Sequence, residues 1–346
     1  MHSFLNDYAE GAHERLLEAL IRTNHEQLDA YGNDTYSNEA RTRIRELCAA
    51  PDAGVHFFIG GTQTNETLIS AALRPHQGVL CADSGHIAVH ESGAIEACGH
   101  KVLPLPAADG KVTAKTADAA FTAHEQDVNF EHMVQPAMLY ISNPTELGTI
   151  YTLAELVALR KICSKHHAYL YLDGARLGCA LTVPNADVTL ADLARLTDAF
   201  YIGGTKLGAL CGEALVITNP AIDRDFRYIQ KQKGARTAKG RVVGIQFAEL
   251  LRDGLYWEIA SGENRLAARL SEGLTAKGYP LFAPTQTNQV FPIIPDHVLK
   301  ALSQQYEYGF WESYDDTHSV VRFCISWATP ESTVEGLLAA LPDNRA

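Results

Sequence analysis

Ala199-Phe200-Tyr201-Ile202-Gly203-Gly204-Thr205-Lys206-Leu207-Gly208 is a short apolar run that ends in glycines and a single lysine. The run has the length of a buried strand, and the glycines let the chain turn and a ligand approach the backbone. A lysine at such a strand end is where an amine that forms a Schiff base with a carbonyl would stand. An ordinary surface lysine in a strand-to-helix turn has the same local sequence. Upstream, Tyr169-Leu170-Tyr171-Leu172 followed by Asp173-Gly174-Ala175-Arg176 repeats the pattern with an acid in place of the amine, and this decides between the two. Two strand ends then present Asp173 and Lys206 to one crevice.

Working outward from these two, apolar runs near Val55–Ile59, Gly78–Ala82, Lys101–Leu105, Met138–Ile141, Ala168–Leu172, Ala199–Ile202 and Ala214–Thr218 alternate with helix-period segments. The clearest helix is Thr152–His167, where Leu153, Leu156, Leu159 and Ile162 share one face. The pattern predicts an α/β fold with a mostly parallel seven-stranded sheet flanked by helices, whose ligands bind outside the carboxyl ends of the strands. After about residue 250 the character changes. A long helix over Tyr256–Lys277 is followed by Tyr279–Pro284, Gln289–Ile294, a helix near Pro295–Tyr306, and Val320–Ile325, which predicts a smaller α+β domain. The expected division is an N-terminal arm or helix at 1–30, a large domain at 31–250 and a small C-terminal domain at 251–346.

Hydrophobic residues make up 46% of the 346 and charged residues 20%, which is the balance of a folded globular chain. A net charge of −12 argues against nucleic-acid or anionic-membrane partners, which an acidic surface repels. The one basic stretch, Arg224 to Arg241, is read as handling small anions. Seven cysteines, an odd number without CxxC or metal-ligand spacing, predict reduced thiols and no metal. Met1 to Asp7 lacks an export pattern and no apolar stretch nears 18 residues, so a cytoplasmic location is expected.

Phe57-Phe58-Ile59-Gly60-Gly61-Thr62-Gln63-Thr64-Asn65 is a strand, a glycine turn and a helix start. Free amides and hydroxyls at Gly61 and Thr62 make a seat for a phosphate. Neither GxGxxG nor GxxxxGK[ST] is present, so dinucleotide and P-loop readings lose support. A phosphate seat, an acid at Asp173 and an amine at Lys206 are together what pyridoxal 5′-phosphate needs: an anchor, a carboxylate for the ring nitrogen and a Schiff-base lysine.

Ala30-Tyr31-Gly32-Asn33-Asp34, Gly60 to Asn65, His86-Ile87-Ala88-Val89-His90-Glu91-Ser92-Gly93, Asp173 to Arg176, Gly203 to Lys206, Gly240-Arg241 and Val321-Arg322-Phe323 run through the chain in order. In these stretches it resembles the threonine aldolase and aromatic amino acid β-eliminating lyase family, within the fold type I, aminotransferase-like enzymes of pyridoxal phosphate. The resemblance implies that His86 stacks on the pyridine ring, that Arg176 lies near the cofactor's phenolic oxygen and that Thr205 helps hold the phosphate. It implies too that Arg322 grips the substrate α-carboxylate and that Arg241 binds phosphate or carboxylate. A homodimer or homotetramer with shared active sites is also implied, with Tyr31 and the Gly32-Asn33-Asp34 turn as contributors from a neighbouring chain.

In Ser142-Asn143-Pro144-Thr145-Glu146-Leu147-Gly148-Thr149 the chain departs from the pattern, because low-specificity threonine aldolases usually carry a histidine at about Thr145. Cleavage of a β-hydroxy amino acid needs a base for the hydroxyl proton, and His86, a water or Glu146 is left to serve. The expected function is a lyase that splits the Cα–Cβ bond of a β-hydroxy-α-amino acid, giving glycine and an aldehyde. β-Elimination, transamination or racemisation with the same cofactor is the alternative, and a non-catalytic binding protein on the same fold is a third reading.

Overall fold

The computed structural model describes residues 2–345. Its strands are β1 (His2–Phe4), β2 (Gly54–Phe58), β3 (Gln77–Ala82), β4 (Val102–Leu105), β5 (Gln135–Ser142), β6 (Tyr169–Asp173), β7 (Ala199–Gly203), β8 (Glu213–Ile217), β9 (Gln289–Val290), β10 (Ile293–Pro295), β11 (Tyr306–Ser313) and β12 (His318–Cys324). The large sheet has the order β2-β8-β7-β6-β5-β3-β4. All its neighbours are parallel except at β8, which runs antiparallel to β2 and to β7. β7 and β8 are buried at every position, as strands covered on both faces must be, and so they read as continuous apolar runs instead of alternating ones.

The crossover helix Leu153–Lys165 starts where its sequence says it should. Thr152 accepts from the Glu155 amide while Glu155 reaches back to the Thr152 amide, and Leu156, Leu159 and Cys163 are buried. Between β6 and β7 the backbones come unusually close: the Gly203 amide donates to the Gly174 carbonyl at 2.9 Å. A methyl group at Gly174 would overlap the Tyr201 carbonyl, and one at Gly203 the Ala175 carbonyl. These two glycines are needed for contact between neighbouring chain segments, with no left-handed turn involved.

The small sheet differs from its expectation. Tyr279–Pro284 forms only a single bridge, Leu281 to Pro292. The helix near Pro295–Tyr306 stops at Leu302, and Tyr306 opens β11, a strand the sequence did not announce. Most of β11 is exposed or half-buried and carries no clear apolar period, so its strand character comes from pairing with β12 and β1. A closing helix, Glu331–Ala340, was also missed.

The first residues of the chain belong with the last. β1 lies parallel to β11, with Phe4 buried edge-on against Phe323. Beyond β1 the arm passes to the end of β6, where Asp7 takes a bidentate pair from Arg176 at 2.5 and 3.0 Å and a third bond from Asn288 at 2.9 Å. Asp7 and Arg176 are both buried, so the charges are compensated chiefly by each other and by these bonds. Burial opposes the Asp7 carboxylate, but the charges of Arg176 and Lys206 and the bonds from Arg176 and Asn288 win, drawing its pKa down to about 2.

A depressed carboxylate contributes stability that is complete above its unfolded value near pH 4 and is lost as the pH falls toward about 2. Asp7→Asn leaves Arg176 buried without a counter-charge and is expected to cost about 3–5 kcal/mol. Denaturant unfolding should show that loss at pH 7 and should show the gap between wild type and variant narrowing between pH 4 and pH 2.

Candidate active site

At the carboxyl ends of β6 and β7 lies a cavity of about 230 Å³, enough for a small ring compound. Gly61, Thr62, His86, Asp173, Arg176, Thr205 and Lys206 all line it, together with Tyr8, Pro144, Glu146, Tyr201 and Glu213. Parallel strands bring the ends of distant sequence segments to one edge of a sheet, which is why residues 61 to 213 converge here.

Asp173 ends β6 and is buried. Its Oδ1 accepts from the Tyr201 hydroxyl at 2.6 Å and the Ala175 amide at 3.0 Å. Its Oδ2 accepts from the Tyr140 hydroxyl at 2.6 Å and from Asn65 at 3.2 Å. Burial would push this carboxyl up, but the charge of His86 and the tyrosine and amide donors outweigh it, so the pKa lies below the ordinary value. The acid is held as an anion in a dry setting.

His86 opens a short helix after β3, and its Nδ1 bonds Glu91 Oε1 at 2.8 Å. Glu91 is also bonded by Asn65, which in turn takes the Tyr171 hydroxyl, so ring, acid and amide form one chain to Asp173. Burial alone would favour the neutral ring. The Glu91 bond and the carboxylates of Glu146 and Asp173 win, and the His86 pKa is raised.

Lys206 Nζ makes no ion pair or side-chain hydrogen bond among the described residues; its neighbour is the Tyr8 ring, with the centroid at 5.9 Å. The helix Gly61–Ala72 has Gly60 as its cap, with no side-chain bond to the first amides. Gly60, Gly61 and Thr62 line the cavity, so uncapped amides of this helix start are available there as donors for an anion. An unpaired amine, an enforced carboxylate and uncapped amides in one cavity of this size fit the aldehyde, ring nitrogen and phosphate of pyridoxal phosphate.

Two residues in the cavity already have partners within the chain. Arg176 gives Nε and one N–H of Nη2 to Asp7, which leaves Nη1 and the second Nη2 proton without an assigned partner. Thr205 gives its hydroxyl to Glu213 at 2.8 Å and accepts from the Gly212 amide at 2.9 Å. Arg322, on β12, is not part of the cavity lining; its Nη1 is on Gln289 and its Nη2 on the Leu5 carbonyl, both at 3.3 Å, while its Nε is buried without a partner.

Tyr31 and Arg241 do not line this cavity within one chain. Arg241 donates to the Glu26 and Asn24 carbonyls. Tyr31, at a positive φ of 60°, sits in a second cleft with Arg41, Arg227 and Arg236 and no acid in its lining. The Lys231 ammonium lies 4.6 Å from the Tyr31 ring centroid.

Thr145 is buried, its hydroxyl sharing a 2.6 Å bond with Thr149 and packing under Gly110. Glu146, the next residue, is the one that faces the cavity. Sequence reasoning missed Asp7, Tyr8, Asn65, Tyr140, Tyr201 and Glu213. Glu213 had a signal, a charge opening an apolar run, and so did Tyr140 and Tyr201, with hydroxyls near buried strand ends. Nothing in the local sequence marked Asp7.

The sequence profile of the beta-eliminating lyase family matches residues 4–296. A low specificity L-threonine aldolase of a Pseudomonas species is 30% identical over 341 residues, covering 97% of this chain and 96% of that protein. Its counterpart in Pseudomonas aeruginosa is 29% identical, with coverages of 96% and 95%. Among solved structures, a threonine aldolase of Leishmania major superposes with a TM-score of 0.95 at 45% identity, covering 98% of both chains. An aspartate aminotransferase of Thermus thermophilus superposes with a TM-score of 0.72 at 17% identity over 98% of this chain and 90% of that one, a likeness of fold alone. Site geometry, profile and relatives agree, and the chain belongs to the beta-eliminating lyase family, whose members are pyridoxal phosphate enzymes of the aminotransferase-like fold.

Proposed function

We propose that this chain cleaves the Cα–Cβ bond of a β-hydroxy-α-amino acid, threonine or allo-threonine being the simplest, to glycine and an aldehyde. The observation that carries the reading is the lining of one cavity by Lys206, Asp173, His86 and Glu146. Relatives named as threonine aldolases along nearly their whole length support it.

The bound cofactor supplies an electron sink for the pair left at Cα. Lys206, whose amine has no polar partner among the described residues, would hold the group through its aldehyde carbon. Asp173, kept anionic by its four donors, holds a proton on the ring nitrogen. Arg322 takes the substrate carboxylate: the contacts of its Nη1 and Nη2, to Gln289 and the Leu5 carbonyl, are both long at 3.3 Å, so these groups have donors to spare. This fixes which bond at Cα stands ready to break.

Glu146 accepts the β-hydroxyl proton as the Cα–Cβ bond breaks and the hydroxyl oxygen becomes the aldehyde. Its carboxylate has a single weak contact, Ser142 Oγ at 3.5 Å. His86 is less suited to that step, because Glu91 and the other carboxylates hold it toward its charged form, which has no lone pair to offer. His86 instead holds the ring and returns a proton to Cα.

Activity is proposed to need a second copy of the chain, with Tyr31 and Arg241 reaching a neighbour's cavity. The cationic lining around Tyr31 supports this, since it has no acid of its own to balance it. A reducing, cytoplasmic setting is proposed from the seven free cysteines.

Wild-type protein supplied with pyridoxal phosphate should show a visible absorbance band that Lys206→Ala lacks, and threonine should yield glycine and acetaldehyde. Ammonia with a keto acid as products would overturn the reading. Glu146→Gln should keep the band and lose about 10²–10⁴ in kcat; an unchanged kcat would transfer the role to another group. Mixing inactive Lys206→Ala with an inactive Arg241→Ala variant should restore activity in mixed oligomers, and no recovery would count against shared sites.

A further inference from the structure

Glu213 lines the cavity, yet the proposed reaction gives it no task. It opens β8, where it stands opposite Gly203 on one side and Phe58 on the other. That register places it between the Lys206 turn, which follows Gly203, and the Gly60–Thr62 turn, which follows Phe58. Its side chain is buried, and it forms no ion pair among the described residues. Oε1 accepts from the Thr205 hydroxyl at 2.8 Å and Oε2 from the Gly204 amide at 3.1 Å.

The hydroxyl of Thr205 has one proton. While Glu213 is an anion that proton is committed to it, and Thr205 turns only lone pairs toward a phosphate in the seat. A phosphate dianion and a buried carboxylate in one cavity also repel each other. The ionisable groups that face Glu213 are Lys206 beyond β7, Asp173 at the end of β6, the hydroxyls of Tyr171, Tyr201 and Tyr256, and Cys211 on its own approach. β2 contributes the uncharged Phe58. Burial pushes Glu213 up; the Thr205 bond, the Lys206 charge and the Gly204 amide hold it back, leaving it at about 8.

Resting on the cofactor reading above, we propose that Glu213 takes up one proton from solvent when a phosphate ester occupies the seat at Gly61-Thr62. The protonated acid then donates to Thr205 Oγ1, and the Thr205 hydroxyl proton turns to the phosphate. Thr205 keeps the Gly212 amide as its second donor, so both its lone pairs and its proton are used. Glu213 is a positioning residue that acts through Thr205. Below the free-state value of about 8 Glu213 already carries the proton and affinity for the phosphate ester is full; above it the complex holds one more proton than the free protein, and affinity falls as the pH rises.

The probes are pyridoxine 5′-phosphate, which has no aldehyde to react with Lys206, and pyridoxine, which also lacks the phosphate. Both are titrated calorimetrically into the cofactor-free full-length chain between pH 7 and pH 10. Wild-type affinity for the phosphorylated probe, taken relative to pyridoxine, should fall about tenfold per unit above pH 8. At pH 9 close to one proton should be taken up, read from the dependence of the heat on buffer. Glu213→Gln should flatten the ratio and bind more tightly than wild type at pH 9. The same slope in Glu213→Gln, or no proton uptake by wild type, would overturn the proposal; if the variant does not fold, wild-type proton uptake decides alone. A normal Lys206-dependent band with a flat wild-type ratio overturns this inference and leaves the cofactor reading standing, whereas absence of the band overturns that reading.

Discussion

One backbone hydrogen bond, from the Gly203 amide to the Gly174 carbonyl, brings the two halves of the chemistry together. It exists because neither residue has a side chain: a methyl group on either would overlap a neighbouring carbonyl. The carboxylate that ends β6 and the lysine that follows β7 are therefore held at one edge of the sheet by the rigid part of the molecule. Reactive groups placed on strand ends are constrained by the whole ladder of parallel pairs behind them, which loops alone do not provide.

The carboxylates around that edge are tuned in opposite directions by the same burial. Asp173 has four donors and a neighbouring imidazole, enough to overcome the loss of water, so it stays an anion. Glu213 has two donors, a more distant lysine and the unfavourable charge of Asp173, and it is pushed up. Asp7 is pinned by a guanidinium and goes down. Burial raises all three by desolvation, and the count and charge of their partners decides the outcome. The same accounting applies to His86, which Glu91 holds toward its charged form against the pull of burial.

Large-sheet strand positions, the Thr152 cap, the glycine turn at Gly61-Thr62 and the strand-end places of Asp173 and Lys206 were legible because each has a local cause: apolar runs, a capping box, glycines, a charge at the end of a buried strand. β11 was not, because its residues are largely exposed and owe their conformation to partners at both ends of the chain. Asp7 was not, because its only meaning is a pair with a residue far along the sequence. Around Thr145 the motif pointed to the right segment, but Thr145 turns into the core and Glu146 into the cavity, a choice made by the turn that bonds Thr145 to Thr149.

Local sequence patterns set the layered α/β plan, the order of the large-sheet strands along the chain and the residue types available for a pyridoxal phosphate site. These follow from periodicity and from glycine and charge at strand ends, which act over a few residues. The partners of each side chain there come from the folded arrangement: Arg176 is bound to Asp7, Thr205 to Glu213, Tyr140 and Tyr201 to Asp173, and Tyr31, Arg241 and Arg322 stand outside the cavity lining of their own chain. Those pairings join residues remote in sequence, and their strength depends on exclusion of water, which exists only once the chain has folded.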